Sequence, residues 1–402
     1  MHIPDGYLSP QTCAVGYAVA LPFWVTASRR VTKIVRNRSV PLLAILSAMC
    51  FLVMMFNVPI PDGTTAHAVG AALVAILLGR WAAVIAVSVA LGFQALLFGD
   101  GGVLAFGANC VNMAIILPFV ALAVYRLIAG RVELTSPRRV LAAAVGGYVG
   151  INAAALAAAV EFGIQPDLFH TANGTPLYSP YHLSQTIPAM LLAHLTVAGA
   201  CEAVLTGGVI AYLQRADPAV LTLNHPGVPL TREEAERAGR RRRLTPARVT
   251  AMFLAVMVVL TPIGLLASGG AFGEDAPEGL DLGKYGLNTV PAGLERYNSF
   301  WSHTLLGGYG FRSGDHPNIG YIVSAVVGIA VVGLAVYLIG TFARLILRQR
   351  GPTPLPAYAS SAATRPSAVT GQAGHRRQSK AERLAPSTRA NQPDQAEAGN
   401  SP

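Results

Sequence analysis

Eight separate stretches of this chain are apolar for about 20 residues each, the length a helix needs to cross roughly 30 Å of hydrocarbon. They fall near 9 to 28, 40 to 60, 81 to 98, 103 to 124, 140 to 162, 188 to 213, 249 to 268 and 319 to 343. Lipid offers backbone groups no partner, so each stretch must satisfy its own hydrogen bonds as a helix. The expected fold is all-α and integral to a membrane. A ninth, shorter stretch, Thr65 to Gly79, is counted as a span because the alternation of charged loops fails without it.

The charges set the orientation of these nine spans. All but three of the 30 Lys and Arg follow the odd-numbered spans, from Arg29 to Arg38, at Arg80, from Arg126 to Arg139, from Arg215 to Arg248, and beyond Arg344. Only Lys284, Arg296 and Arg312 lie elsewhere. By the positive-inside rule the N-terminus is outside and the C-terminus cytoplasmic. The same asymmetry accounts for a net charge of +10 without any nucleic acid. A mean hydropathy of +0.47 agrees. Cys13, Cys50, Cys110 and Cys201 lie far apart in apolar stretches, with no spacing typical of zinc or of a disulfide framework.

Residues 1 to 213 read as a seven-span core and 214 to 248 as a basic cytoplasmic loop. Residues 249 to 347 read as a two-span module with an outer loop over 269 to 318. The Ser-, Pro- and Arg-containing stretch 348 to 402 reads as a disordered tail. The start MHIPDGYLSP has no Lys or Arg, unlike a signal peptide, so the first helix is expected to stay. Gly146, Gly150, Ala154 and Ala158 recur every four residues, a spacing that lets another helix approach closely, chiefly within the bundle.

Chemistry concentrates at the outer ends of the spans. A histidine at position two can chelate through the Met1 amine, its own ionised amide and its imidazole Nδ1, closing fused five- and six-membered rings. Such a planar nitrogen set favours Ni²⁺, Cu²⁺ or low-spin Co²⁺ over Mg²⁺, Ca²⁺ or tetrahedral Zn²⁺. His67, near the outer start of the third span, is the expected fourth donor. Gln94, Asn109, Asn112 and His194 fall at the same depth, where buried polar groups need partners, and are expected to orient the ligands. Glu202, a carboxylate well inside a span, is given a structural role. Asp100, in Gly99-Asp100-Gly101-Gly102, is read as turn geometry. Ile60 to Gly63 repeats the Ile-Pro-Asp-Gly of residues 3 to 6. No Walker A loop, His-Glu-x-x-His or Gly-x-Ser-x-Gly is present, so no enzymatic activity is expected of this chain.

The stretches MHIPDGYLSP, NVPIPDGTTAHAVGAAL, LLGRWAAV, QALLFGDGG, FGANCVNM and AHLTVAGACEAVLT resemble the CbiM/NikM family, substrate-binding membrane components of energy-coupling factor (ECF) transporters for cobalt and nickel. The resemblance covers roughly residues 1 to 213. It implies metal held by Met1, His2 and His67, with Co²⁺ or Ni²⁺ as transported ion and no resident cofactor. It also implies partners, namely a transmembrane coupling protein and two cytoplasmic ATPases, and a multi-pass location in the bacterial plasma membrane. Asp62 departs from the glycine expected there. The segments Pro277-Glu278-Gly279-Leu280-Asp281 and Val290-Pro291-Ala292-Gly293-Leu294-Glu295 are similar to the Pro-Asp-Gly-Leu-Glu signature of the CbiN/NikN component, without matching it. The rival readings are a membrane metal sensor or scaffold and an ATP-independent permease.

Overall fold

The structure is a computed structural model that describes residues 1–36, 39–59, 65–225, 246–266 and 277–349. The Ile60 to Gly63 repeat, the arginine run 240 to 243 and the tail from 350 onward lie outside the described residues.

Helix α1 (Pro10–Arg36) begins where the Ser9 hydroxyl accepts from the Thr12 N–H at 3.1 Å and Pro10 takes the first helical position. Helix α2 spans Val40–Met54. The expected second span therefore stops short of residue 60. Instead, β1 (Val58–Pro59) pairs antiparallel with β2 (Thr65–Ala66), in register Val58 to Ala66.

The third expected span departs most from its sequence reading. Only Ala71–Leu78 is helical (α3), and all eight of its residues are buried. Residues 66 to 70 before it are non-helical and equally buried. Gly70, at φ +76°, turns the chain into the helix. Non-helical backbone at membrane depth is tolerated only where protein surrounds it, and here α3 packs on four longer helices. These are α4 (Arg80–Phe98), α5 (Phe106–Ala129), α6 (Pro137–Gly163) and α7 (Leu183–Ala216).

Beyond them come α8 (Pro246–Leu260), α9 (Ala292–Tyr297) and α10 (Pro317–Gln349), the last lying along α2. Among the described residues, five helical stretches are long and apolar enough to cross a membrane: Arg80–Phe98, Phe106–Ala129, Pro137–Leu168, Leu183–Ala216 and Pro317–Ala343. Each contains or nearly contains a window expected from sequence.

The stripe on α6 packs inside the bundle. Side chains added at Gly146 and Gly150 would meet the carbonyls of Ala121 and Leu117, each at 2.7 Å, so α5 and α6 touch backbone to backbone. Three helices widen locally into π-helical turns, at Gln94–Phe98, Cys110–Ile116 and His194–Ala198. Each wide turn holds one of the buried polar residues singled out above, Gln94, Asn112 or His194. Such turns re-aim side chains and recur at functional sites.

Candidate metal centre

Residues 1 to 9 fold into the bundle. Met1 is 2% exposed, His2 4% and Ile3 0%. The segment is pinned by its backbone: Ile3 N–H donates to Asn109 Oδ1 at 2.8 Å, and Asn109 Nδ2 and Gly102 N–H donate to the Ile3 carbonyl at 3.0 and 2.8 Å. The Asp5 carboxylate accepts from the N–H groups of Val103, Leu104 and Ala105 at 2.8 to 3.1 Å, where the chain turns into α5. Unpaired amides at a helix start suit an anion. Any side chain at Gly102 would collide with Asp5, which explains a glycine there. Burial holds the Asp5 carboxyl above its ordinary range, and the three amides oppose that rise.

This pinning sets the terminal amine of Met1 3.5 Å from His67 Nε2. The His2 and His67 rings stack at 4.9 Å and 19°. His67 Nδ1 donates to the Ala68 carbonyl at 3.0 Å, which leaves the Nε2 lone pair facing the amine. His67 sits in the non-helical approach to α3, and Glu202 fixes that approach. Its Oε2 accepts from Val69 and Gly70 N–H at 2.8 and 2.9 Å, and its Oε1 from Ala72 N–H at 3.4 Å. A fully buried carboxylate on α7 thus caps α3. This is the structural role expected of it.

The surrounding polar residues divide. Asn109 orients the N-terminal segment. Gln94 acts one step away: its Nε2 donates to the Tyr309 hydroxyl at 2.9 Å and to Asp100 Oδ2 at 3.3 Å. Tyr309 donates to the same oxygen at 2.5 Å, and Asp100 Oδ1 lies 3.3 Å from His2 Nδ1. His194 donates from Nδ1 to the Met190 carbonyl at 2.7 Å, while its buried Nε2 has no partner. Asn112 does not join this group, because its Nδ2 donates to Glu161 at 2.7 Å.

Sequence reasoning missed Asp100, read as a turn residue, and Tyr309, which reaches the site from the expected C-terminal module. It also missed Glu161, at the last turn of α6. The outer position of Asp100 was a usable signal. Tyr309 carried none. Among the described residues, no three His, Cys, Asp or Glu side chains form a cluster able to hold a metal. The donors gathered here are two imidazoles and the chain's own backbone.

Comparison with known proteins identifies the family of the chain. Residues 2–220, over half the chain, match the family described as CbiM, "Cobalt uptake substrate-specific transmembrane region". The chain belongs to this family. CbiM relatives include the "Fused nickel transport protein NikMN" of Rhodobacter capsulatus, 46% identical over 83% of this chain and 95% of that protein. The "Cobalt transport protein CbiM" of Lachnoclostridium phytofermentans is 37% identical over 32% of this chain and 52% of its own length. A crystal structure of a transition metal transporter superposes with a TM-score of 0.51, at 60% identity, covering 54% of this chain and 94% of that one. The chain is thus a membrane protein of a metal-transport family.

Proposed function

We propose that this chain captures Ni²⁺ or Co²⁺ from outside the bacterial plasma membrane through the Met1 amine, the His2 amide and imidazole, and His67. It hands the ion inward when partners rearrange it: a transmembrane coupling protein and two ATPases, as in an ECF-type importer. The chain itself is not an enzyme. The observation that carries the reading is a buried terminal amine 3.5 Å from His67 Nε2, with His2 stacked on His67. Nδ1 of His2, the atom the chelate requires, lies beside Asp100. Ligation therefore displaces that carboxylate or draws it alongside the ion.

Nine crossings with the N-terminus outside fit this reading. In the third of them a non-helical approach, residues 65 to 70, precedes the eight helical residues of α3. The segments 277–281 and 290–295 then belong to a fused accessory module over 249 to 347, whose Tyr309 touches the Asp100 that neighbours His2. Metal analysis of purified protein with a native N-terminus tests the assignment. Stoichiometric Ni²⁺ or Co²⁺ that a folded N-terminal tag abolishes supports it; binding indifferent to the tag overturns it in favour of a site built on His67, His194 and Glu202.

A further inference from the structure

The buried half-helix α3 is clasped at both ends by side chains from other parts of the chain. Glu202 holds its start, beside His67. At its far end, Asn224 Nδ2 donates to the carbonyls of Ala75 and Ile76, each at 3.1 Å. The Ala75 carbonyl also accepts from the Gly79 N–H at 3.0 Å, whereas that of Ile76 lies in the last turn, where a helix leaves carbonyls without an internal partner. Asn224 closes a short 3₁₀ segment, Pro218–Asn224, that packs on α3. In sequence this segment leads directly into the Arg-rich stretch 232 to 243.

An eight-residue helix is about 12 Å long. Because α3 is buried on every side, it cannot bend or fray to absorb a pull at one end. A shift of the 218–224 segment therefore carries the Ala75 and Ile76 carbonyls with it, and the displacement reaches Gly70 and His67 at the other end.

We propose that Asn224 is a positioning residue that ties the placement of His67 to the loop on the opposite side of the membrane. With the clasp closed, His67 stays against the Met1 amine. Drawing the 218–224 segment away withdraws α3 and loosens the ion. The proposal rests on the reading that His67 is a ligand and that residues 214 to 248 face the cytoplasm. Gln214 provides the control. Its Nε2 donates to two carbonyls in the same way, those of Leu134 and Ser136 at 2.8 and 2.9 Å, but it ties α7 to the loop before α6 and not to α3.

The test compares Asn224→Asp with Gln214→Glu in the full-length chain. Each keeps side-chain shape and removes the donors. Nickel-loaded protein is chased with EDTA, and amide hydrogen exchange over residues 65 to 72 is followed without metal. Asn224→Asp should release Ni²⁺ about tenfold faster, an ordinary magnitude for coupling between sites, and should speed exchange over 65 to 72. Gln214→Glu should change neither, and Asn224→Ser, which keeps one donor, should fall between wild type and Asn224→Asp. Wild-type release and exchange in Asn224→Asp, or equal changes in Gln214→Glu, overturn the proposal. Failure of the ligand reading looks different: nickel binding is then insensitive to an N-terminal tag, while the exchange data still report whether Asn224 holds α3.

Discussion

Two non-helical segments meet at the candidate site, and they are anchored in opposite ways. Residues 1 to 9 carry their own anchor: Asp5 belongs to the segment and grips the amides before α5. Residues 66 to 70 are gripped from outside, by Glu202 on α7. The first segment leads into α1 and lies against Asn109 and Gly102, which bond to Ile3. The second runs from β2 into α3, whose eight residues are all buried. One half of the site is thus built to be inserted, and the other is part of the frame that receives it.

The largest effect should come from blocking insertion. A folded tag before Met1 should abolish high-affinity Ni²⁺ or Co²⁺ binding, measured by isothermal titration, while the same tag at the C-terminus leaves it unchanged. Next, His67→Ala removes the ligand proposed for the frame and should weaken binding about 100-fold or more, beyond the usual effect of outer partners.

The two anchors should then separate by stability. Glu202→Ala leaves three buried amides without an acceptor and should cost about 3 kcal/mol in a denaturation assay. Asp5→Ala, at a half-open helix start, should cost about 1 kcal/mol and show mainly as slower metal uptake. Equal losses would erase the distinction between inserted segment and frame.

The pH dependence sharpens the same comparison. Because burial raises the folded-state pKa of Asp5, its ionisation opposes seating of the segment once pH exceeds the unfolded value near 3.9, and that opposition fades as pH falls through the folded value. Acid therefore favours Asp5 burial. Metal binding should nevertheless fall in acid, because protons compete with the ion for its nitrogen donors. Asp5→Asn should leave that acid limb in place; its disappearance would place the proton at Asp5 instead. The smallest effect is expected for Tyr309→Phe, which frees one Asp100 oxygen from a hydroxyl and should change nickel affinity by about threefold to fivefold.

The long helices were legible because a period-free apolar run of 20 residues has few alternatives in lipid. The windows at 81 to 98, 140 to 162, 188 to 213 and 319 to 343 fall on helices, and that at 103 to 124 does so from Phe106 onward. The stretch 65 to 79 is helical only over Ala71–Leu78, a difference composition cannot show, because a full helix and a non-helical approach followed by half a helix can be equally apolar. Both are apolar, and only the neighbours of α3 make the second affordable to the backbone. Asn112 looked equivalent to Asn109 from its spacing of three, yet the wide turn at Cys110–Ile116 sends it to Glu161.

What the sequence determined by itself was chemistry confined to near neighbours: the membrane class, fixed by long apolar runs, and the chelating potential of Met1 and His2, fixed by covalent proximity. Tertiary structure alone decided which distant groups complete the site. His67 lies 66 residues from Met1, Asp5 anchors 100 residues away at Ala105, and Tyr309 reaches Asp100 across 209. Side-chain type records what a residue can bond. Which partner it meets depends on how the helices pack and where their turns widen, and neither is written in local pattern.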